Sequence, residues 1–296
     1  MLGRLGFDRR LAPYVFAAPA VLIMLFGLFY PVVEAVRLSF YEVRLGEAPT
    51  PQAFRGLAIL AEALADASVR TSMLVTLQFA AVVVAVEMGL GVALALLLEK
   101  PIRGMSVFRT LFVLPMMIAP ICVGLIWRYM FDVNVGPVNA LLGFAGWKPA
   151  WLAEPDLAFA ALCITDIWQF TPFVFILALA GLQGLDPSAV EAARIDGASP
   201  LQIIRYIKLP LLMPILMITV LMRLIDALRG LEVVYALTNG GPGLATELFS
   251  LHIYKSAFVT QRMGHSAALS VCLLVVTTVL SALLLAWRHP MRRRGG

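Results

Sequence analysis

The residues that could do chemistry in this sequence are ionisable side chains set inside long apolar runs. Arg223, Asp226 and Arg229 follow one another at intervals of three, so on a helix they lie close to one face and Asp226 can pair with either arginine. Glu87 and Asp166 stand in two other apolar runs. Such groups are expensive in a membrane and are therefore functional candidates. Two interpretations stay open: a structural ion pair that holds helices together, or the lining of a solute path.

Two further polar stretches lie in similar surroundings. Trp168, Gln169 and Thr171 form a polar and aromatic cluster before Pro172, which frees a carbonyl in the preceding turn. Residues 239–242 read Asn-Gly-Gly-Pro, a strong turn signal that is also compatible with a simple re-entrant turn. We predict a pocket between the groups of the fourth and fifth apolar runs and this turn. Its predicted residues are Trp168, Gln169, Thr171, Arg223, Asp226, Arg229, Asn239, Gly240 and Gly241.

Motifs of catalysis and of nucleotide or metal binding are missing from the sequence. It contains no G-x-x-x-x-G-K-[ST] motif and no Ser/His/Asp or Cys/His constellation, and the three histidines are scattered. The three cysteines lie in apolar runs without metal-ligand spacing, which is typical of small buried hydrophobic residues. The sequence therefore predicts a non-enzymatic chain without a metal or cofactor of its own.

The elements that must position these groups are apolar helices. The chain has 296 residues, of which 61% are hydrophobic and 14% charged, and its mean hydropathy is +0.89. These values exclude an ordinary soluble domain and indicate a polytopic membrane protein whose backbone hydrogen bonds close within helices. We predict an all-α fold with one transmembrane domain over residues 1–296. Its six predicted spans are about 11–36, 72–98, 107–131, 157–182, 211–228 and 266–287.

The distribution of charge predicts the orientation of the chain. An even number of spans leaves both termini on the same side of the membrane. The N-terminus, the tail and the loops 99–109 and 184–209 hold more than half of the Lys and Arg residues but fewer than a third of the Asp and Glu residues. By the positive-inside rule these segments are cytosolic. The net charge of +5 then needs no nucleic-acid partner, and the first apolar run is too long for a signal peptide.

One of these predicted cytosolic loops begins with a capped helix. Asp186 is followed by Pro187, which is the pattern of a carboxylate cap with proline at the first helical position. The helix is predicted to run to about Asp196, and Gly197 stands where a left-handed residue ends a helix.

A second helix start follows directly in the same loop. Ser199, Pro200 and Gln202 form a capping box, and Pro210 is predicted to begin the fifth span. An apolar stripe of Leu201, Ile204 and Ile207 lies on this second helix. The loop could be a solvated hairpin, but such an apolar surface indicates a partner or the bilayer.

Residues 191–210 also carry a resemblance to a known family. The pattern E-A-A, three residues, G, nine residues, I-x-L-P is complete in EAARIDGASPLQIIRYIKLP. It resembles the signature loop of permease subunits in binding-protein-dependent ABC importers. Residues 104–131 resemble the third-span region of the carbohydrate class of these permeases, the maltose, glycerol-3-phosphate and polyol type. Residues 238–258 resemble the outward segment of that class, which contacts the binding protein.

The resemblance implies a function and a set of partners. The loop would form coupling helices that dock into a cleft of a cytosolic ATPase. The residues carried over to this role are Glu191, Ala192, Ala193, Asp196, Gly197, Leu201, Ile204, Ile207, Leu209 and Pro210. The implied partners are a second, homologous permease subunit, two ATPase subunits that bind ATP and Mg, and an extracytoplasmic solute-binding protein.

The implied activity is import of a sugar, polyol or glycerol-phosphate-like solute across the lipid of a bacterial inner membrane. The alternative is an ion-coupled secondary transporter that acts without an ATPase. That class needs an internal repeat and a coupling-ion site within one chain.

Overall fold

The computed structural model describes residues 12–99 and 104–287. Among these residues it contains α-helices and short turns but no β-strand, so the all-α prediction is confirmed. The arginines at positions 4, 9 and 10, the first residue of the first predicted span and the basic tail 288–296 lie outside the described residues, and so does part of the predicted loop 99–109.

The helices follow the apolar runs of the sequence. In chain order they are α1 (Ala12–Met24), α2 (Tyr30–Leu38), α3 (Ala58–Ala65), α4 (Ala67–Leu97), α5 (Met105–Met117), α6 (Pro120–Met130), α7 (Pro137–Gly143), α8 (Pro155–Gln183), α9 (Pro187–Ile195), α10 (Pro200–Ile203), α11 (Leu209–Arg229), α12 (Glu232–Leu237), α13 (Phe249–Phe258) and α14 (Met263–Trp287). One π-helical turn, Leu25–Phe29, joins α1 to α2, and a second, Ile204–Lys208, joins α10 to α11.

Within residues 12–99 and 104–287, five helical stretches are long and apolar enough to cross a membrane. They are Pro13–Leu38, Ala67–Leu97, Pro155–Gln183, Pro200–Arg229 and Met263–Ala286. A sixth candidate consists of α5 and α6, which are bent by 99° at a short break. If this bent pair is one span, the described part of the chain has six candidate spans, which is the number that the sequence predicts.

The predicted third span, 107–131, is not one continuous helix. Ile118 and Ala119 have extended backbone, with ψ angles of 136° and 132°, and Pro120 opens the next helix. The residue before a proline is driven away from helical geometry, and this explains where the helix breaks.

The helix that contains the fifth predicted span, 211–228, extends further toward the N-terminus than the sequence indicated. Pro210 lies in the first turn of α11, close to the predicted start, but α10 continues into α11 through a π-helical turn, so residues Pro200–Arg229 form one stretch of 30 residues. A proline ring crowds the carbonyl four residues before it, here that of Tyr206. Tyr206 lies in the π-helical turn Ile204–Lys208, and this wider turn accommodates the ring without ending the helix.

The described residues divide into two compact units. Of the described residues, unit 1 combines 12–65 with 253–274, and unit 2 combines 66–99, 104–252 and 275–287. The single transmembrane domain over residues 1–296 stays a prediction.

Unit 1 is held together by backbone pairing of the segment after α2. The N–H of Glu42 donates to the carbonyl of Ala53 at 2.8 Å, and the N–H of Gly264 donates to the carbonyl of Val43 at 3.1 Å. A Cβ on Gly264 would lie 1.8 Å from the carbonyl oxygen of Tyr41, so only glycine fits this contact. The side chains of residues 13–32 are exposed on this chain.

The core of unit 2 is formed by α4, α8 and α11, which pack against one another. Glycine lets the backbones approach: a Cβ on Gly91 of α4 would lie 2.6 Å from Val174 of α8, and one on Gly181 would lie 2.7 Å from Leu212 of α11. The buried cluster between these helices comprises Ala95, Phe175, Ala178, Leu179, Leu182, Leu212 and Leu216.

Candidate functional site

Three ionisable side chains from three helices meet inside unit 2. Arg223 of α11 donates to the two carboxylate oxygens of Glu87 of α4, from Nε at 2.7 Å and from Nη2 at 3.0 Å. Its Nη2 also donates to Oδ2 of Asp166 of α8 at 2.8 Å. All three residues are buried. We call Arg223, Glu87 and Asp166 the Arg223 cluster, and it joins the three core helices at one point.

The face of the Arg223 guanidinium group is also covered. Its central carbon lies 3.9 Å from the centre of the Phe170 ring, the distance of a cation–π contact. Asp226, the partner that the spacing indicated, lies 3.8 Å from Nη1 and is itself exposed. The principal partners of Arg223 are therefore on other helices.

A cavity of about 390 Å³ lies beside the Arg223 cluster. Two of its aromatic lining residues are Phe79 and Phe170. Its charged lining residues are Asp166, Arg223, Asp226, Arg229 and Glu232. A volume of this size falls within the range, roughly 300–1,000 Å³, of pockets that hold small molecules.

Breaks in two helices create the space for this cavity. Helix α11 ends at Arg229, Gly230 has ψ near 120°, and α12 starts again at Glu232. Pro120, the first residue of α6 after the bend, also lines the cavity. A Cβ on Gly124 of α6 would lie 2.7 Å from Ala236 of α12, so the two short helices are closely packed. In a membrane protein, non-helical backbone between helices is tolerated where it is buried in protein or lines a cavity.

Three of the nine predicted pocket residues line this cavity, namely Arg223, Asp226 and Arg229. The nine predicted pocket residues did not include Phe79, Phe170 and Glu232, which line the cavity. They also did not include Glu87, which pairs with Arg223. Phe170 could have been found from its position four residues after Asp166, which puts the two side chains on one helix face.

The predicted cluster on α8 faces away from the cavity. Trp168 packs edge-on against Trp127, with ring centres 5.5 Å apart. Gln169 is buried and donates from Nε2 to the carbonyl of Ile118 at 3.2 Å, where it supports the break between α5 and α6. Thr171 donates its hydroxyl to the carbonyl of Ile167 in its own helix. None of the three lines the cavity. Trp168 and Thr171 lie on other faces of α8 than Asp166 and Phe170, and the side chain of Gln169 is bonded to the backbone of Ile118 instead.

Residues 239–242 form a turn that is closed by its own threonines. Asn239 and Gly240 have positive φ angles of 50° and 86°. The hydroxyls of Thr238 and Thr246 lie 2.7 Å apart, and Thr246 also donates to the carbonyl of Gly241 at 2.8 Å. Asn239, Gly240 and Gly241 do not line the cavity, which residues 230–234 border instead.

The loop 186–210 has the caps that the sequence predicts. Oδ1 of Asp186 accepts a hydrogen bond from the N–H of Ser188 at 3.0 Å, and this bond lowers the pKa of the Asp186 carboxyl. Ser199 and Gln202 form the reciprocal capping box. Gly197 has a φ of 79°. The two caps and the left-handed glycine are confirmed.

The exposed apolar face of this loop differs from the predicted stripe. Leu201 is 73% exposed, but Ile204 and Ile207 are half-buried because their helix continues into α11. Ile195 at 86% and Tyr206 at 68% are the other large exposed apolar side chains. We call Ile195, Leu201 and Tyr206 the exposed loop face.

The other loop residues to which the resemblance assigns the coupling role are mostly exposed. Glu191, Ala192, Asp196, Gly197 and Pro210 are exposed, and Ala193 and Leu209 are half-buried.

Lys208 at the end of the π-helical turn forms a salt bridge with Glu99, just after α4. The loop is therefore attached to all three core helices of unit 2, by the chain to α8 and α11 and by this ion pair to the end of α4.

Known proteins share both the sequence pattern and the fold. Residues 87–292 match the family described as binding-protein-dependent transport system inner membrane component. The chain is 36% identical to the trehalose/maltose transport system permease protein MalF of Thermococcus litoralis, over 80% of each chain. It is 31% identical to the sn-glycerol-3-phosphate transport system permease protein UgpA of Agrobacterium fabrum, over 93% of this chain and 94% of that protein.

Two crystal structures of a bacterial alginate ABC transporter have the same fold. One superposes with a TM-score of 0.83 at 21% identity and covers 97% of both chains. The other, in complex with an alginate pentasaccharide-bound periplasmic protein, superposes with a TM-score of 0.81 at 21% identity and covers 93% of both chains.

The helical fold and the loop 186–210 are those of a permease subunit of ABC transporters. Because the family match covers most of the sequence, the chain belongs to the family of binding-protein-dependent transport system inner membrane components. It is a non-catalytic, multi-pass inner-membrane subunit, and ATP is hydrolysed by partner subunits of such transporters. The family identified from residues 191–210 is confirmed.

Proposed function

We propose that this chain forms half of the pathway for ATP-driven import of a sugar, polyol or glycerol-phosphate-like solute. The observation that carries the proposal is the loop 186–210, which presents the exposed loop face and continues without interruption into α11. The solutes for which the two relatives are named, trehalose or maltose and sn-glycerol 3-phosphate, support this solute class.

The proposed coupling acts through the continuous helix of residues Pro200–Arg229. Thirty residues of helix are about 45 Å long at 1.5 Å per residue, so a displacement of the loop is carried to the far end of α11. Arg223 near that end is bonded to α4 and α8. Docking of the exposed loop face on an ATPase subunit would therefore move the helices that line the cavity.

The complete importer would contain further proteins. We propose a second, homologous permease subunit, two ATPase subunits that hold ATP and Mg²⁺, and an extracytoplasmic solute-binding protein, with both termini of this chain in the cytosol. The periplasmic protein in the alginate transporter structure supports the last kind of partner. An ion-coupled secondary transporter is not favoured, because the chain belongs to an ABC permease family.

Reconstitution in proteoliposomes tests the proposal. We expect uptake to require this chain, its permease partner, the ATPase, ATP and the binding protein, and to persist when ionophores collapse ion gradients. Uptake by this chain alone, driven by an ion gradient, would support the secondary transporter and contradict the importer.

A substitution at Gly197 tests the coupling role of the loop. Gly197 and Gly146 both have positive φ, at 79° and 75°, and neither has a neighbour within 4 Å of an added Cβ. Valine is strained at such angles by roughly 1–3 kcal/mol, so Gly197→Val should reduce both uptake and solute-stimulated ATP hydrolysis by about tenfold. Gly146→Val carries the same strain outside the loop and should leave the coupling of the two activities unchanged. Equal effects of both variants would show that strain alone, not the loop, lowers activity.

A further inference from the structure

We propose that the cavity of unit 2 accepts an uncharged polyhydroxylated solute and excludes anions. This inference rests on the proposed function and narrows its solute class to the uncharged members, the sugars and polyols, so that a glycerol-phosphate-like solute is no longer expected. It is carried by the charges that line the cavity and by the hydrogen bonds that already occupy Arg223.

Most of the hydrogen-bond donors of Arg223 already bind carboxylates. Glu87 takes two of its hydrogen bonds and Asp166 takes a third, at 2.7, 3.0 and 2.8 Å. Phe170 covers its face at 3.9 Å, and Asp226 lies 3.8 Å from its remaining terminal nitrogen. An anion at Nε or Nη2 would have to displace a buried carboxylate, and one at Nη1 would have to compete with the carboxylate of Asp226.

By formal charge, the residues that line the cavity are net negative. Three carboxylates, those of Asp166, Asp226 and Glu232, line the cavity against the two guanidinium groups of Arg223 and Arg229. Glu87 bonds to Arg223 but does not line the cavity. An anion that gave up its hydration shell here would meet more repulsion than attraction.

The same lining suits hydroxyl groups. Carboxylate oxygens accept hydrogen bonds from hydroxyls, and Arg229 supplies donors to hydroxyl oxygens. Phe79 and Phe170 give apolar ring surface beside these polar groups. A cavity of about 390 Å³ with a few polar groups and aromatic walls fits a small sugar or polyol.

Matched pairs of solutes that differ in charge test the inference. The complete complex, held in nanodiscs without its binding protein, would be titrated by saturation-transfer NMR with glucose against glucuronate and with glycerol against sn-glycerol 3-phosphate. Leaving out the binding protein removes its selectivity from the measurement. We expect the uncharged member of each pair to bind at least about tenfold more tightly. Equal or tighter binding of the anions would overturn the inference.

Charge variants connect this preference to the cavity. Glu232→Gln removes one lining charge and keeps a polar side chain, so it should reduce the preference for the uncharged solute by about three- to tenfold. Arg229→Gln should increase the preference. Glu154→Gln removes an exposed carboxylate at the start of α8, outside the cavity, and should leave the preference unchanged. Thermal unfolding confirms that each variant is folded, and an unaltered preference in folded Glu232→Gln would contradict the inference.

The failure of this inference differs from the failure of the proposed function. ATP-driven uptake by the same complex with its binding protein, combined with preferential binding of anions in the cavity, overturns only the inference. If the complex lacks ATP-driven uptake of every solute in the panel, the proposed function itself is wrong.

Discussion

Arg223 of α11 and Glu87 of α4 are joined by two hydrogen bonds, of 2.7 and 3.0 Å, and their side chains are 1% and 0% exposed. Asp166 of α8 adds a third bond to the same guanidinium group. One arginine thus connects the three helices that form the core of unit 2, and it does so at the wall of the cavity.

Loss of the arginine should be much more harmful than loss of either carboxylate charge. Arg223→Gln leaves two buried carboxylates without a cation and should reduce the free energy of unfolding by about 3–5 kcal/mol. Glu87→Gln leaves Arg223 paired with Asp166 and should cost about 1–2 kcal/mol. Chemical unfolding of the two variants in detergent measures the difference. If Glu87→Gln is the more damaging of the two, the assignment of Arg223 as the common partner is wrong.

The sequence identified the charged groups of this site but not their pairing. Glu87, Asp166 and Arg223 each stand out because they interrupt apolar runs. Which of them meet depends on how α4, α8 and α11 are rotated against one another, and this rotation is set by close contacts such as those at Gly91 and Gly181. Periodicity within one helix contains no information about those contacts. It therefore predicted the ion pair with Asp226 on the same helix, which forms at 3.8 Å, and missed the two closer partners on other helices.

Local backbone chemistry was more informative than the path of long helices. The caps at Asp186 and Ser199 and the left-handed Gly197 depend on neighbouring residues alone, so the sequence predicted them correctly. The continuity of α10 with α11 was not predicted, because a proline normally interrupts a helix and here a π-helical turn accommodates the ring of Pro210. The cavity was placed toward residues 239–242 because a turn signal does not reveal that neighbouring threonines close the turn on itself.

Gly91 provides a test of the packing between α4 and α8. A Cβ there would lie 2.6 Å from Val174 and 3.0 Å from the backbone nitrogen of Phe175, so Gly91→Ala should destabilise the protein by about 1–3 kcal/mol. Gly89 lies on the same helix with nothing within 4 Å, and Gly89→Ala should change stability by less than about 1 kcal/mol. Thermal unfolding of both variants checks the contrast. Equal behaviour would mean that α4 and α8 do not approach through Gly91.

The ion pair between Lys208 and Glu99 should contribute a measurable coupling energy. The two side chains are only 13% and 29% exposed, so water screens them less than a surface pair. A double-mutant cycle with Lys208→Met and Glu99→Gln should give about 1 kcal/mol. The exposed pair Arg55 and Glu42, at 2.7 Å, is the control and should give less than about 0.5 kcal/mol. A cycle near zero for Lys208 and Glu99 would remove this link between the loop and α4.

The cap at Asp186 should make the start of α9 sensitive to acid. The N–H of Ser188 lowers the pKa of the Asp186 carboxyl from its ordinary value of 3.8. A group with a depressed pKa in the folded state stabilises it above the unfolded pKa and loses that effect as the pH falls through the folded pKa. Amide hydrogen exchange in residues 187–195, corrected for intrinsic rates, should therefore become faster below about pH 3.8. Asp186→Asn should show no such change, and an identical pH profile in both proteins would contradict the role of the carboxylate.

The central claim is that the loop 186–210 receives the motion of an ATPase subunit, and site-specific cross-linking tests it most directly. A photo-reactive amino acid at Leu201, which is on the exposed loop face, would be compared in the assembled complex with the same amino acid at Phe144, which is exposed outside the loop. The account predicts a cross-linked product between Leu201 and the ATPase whose yield changes with bound nucleotide, and none from Phe144. An intact, ATP-hydrolysing complex that gives no ATPase product from position 201, or equal products from both positions, would contradict it.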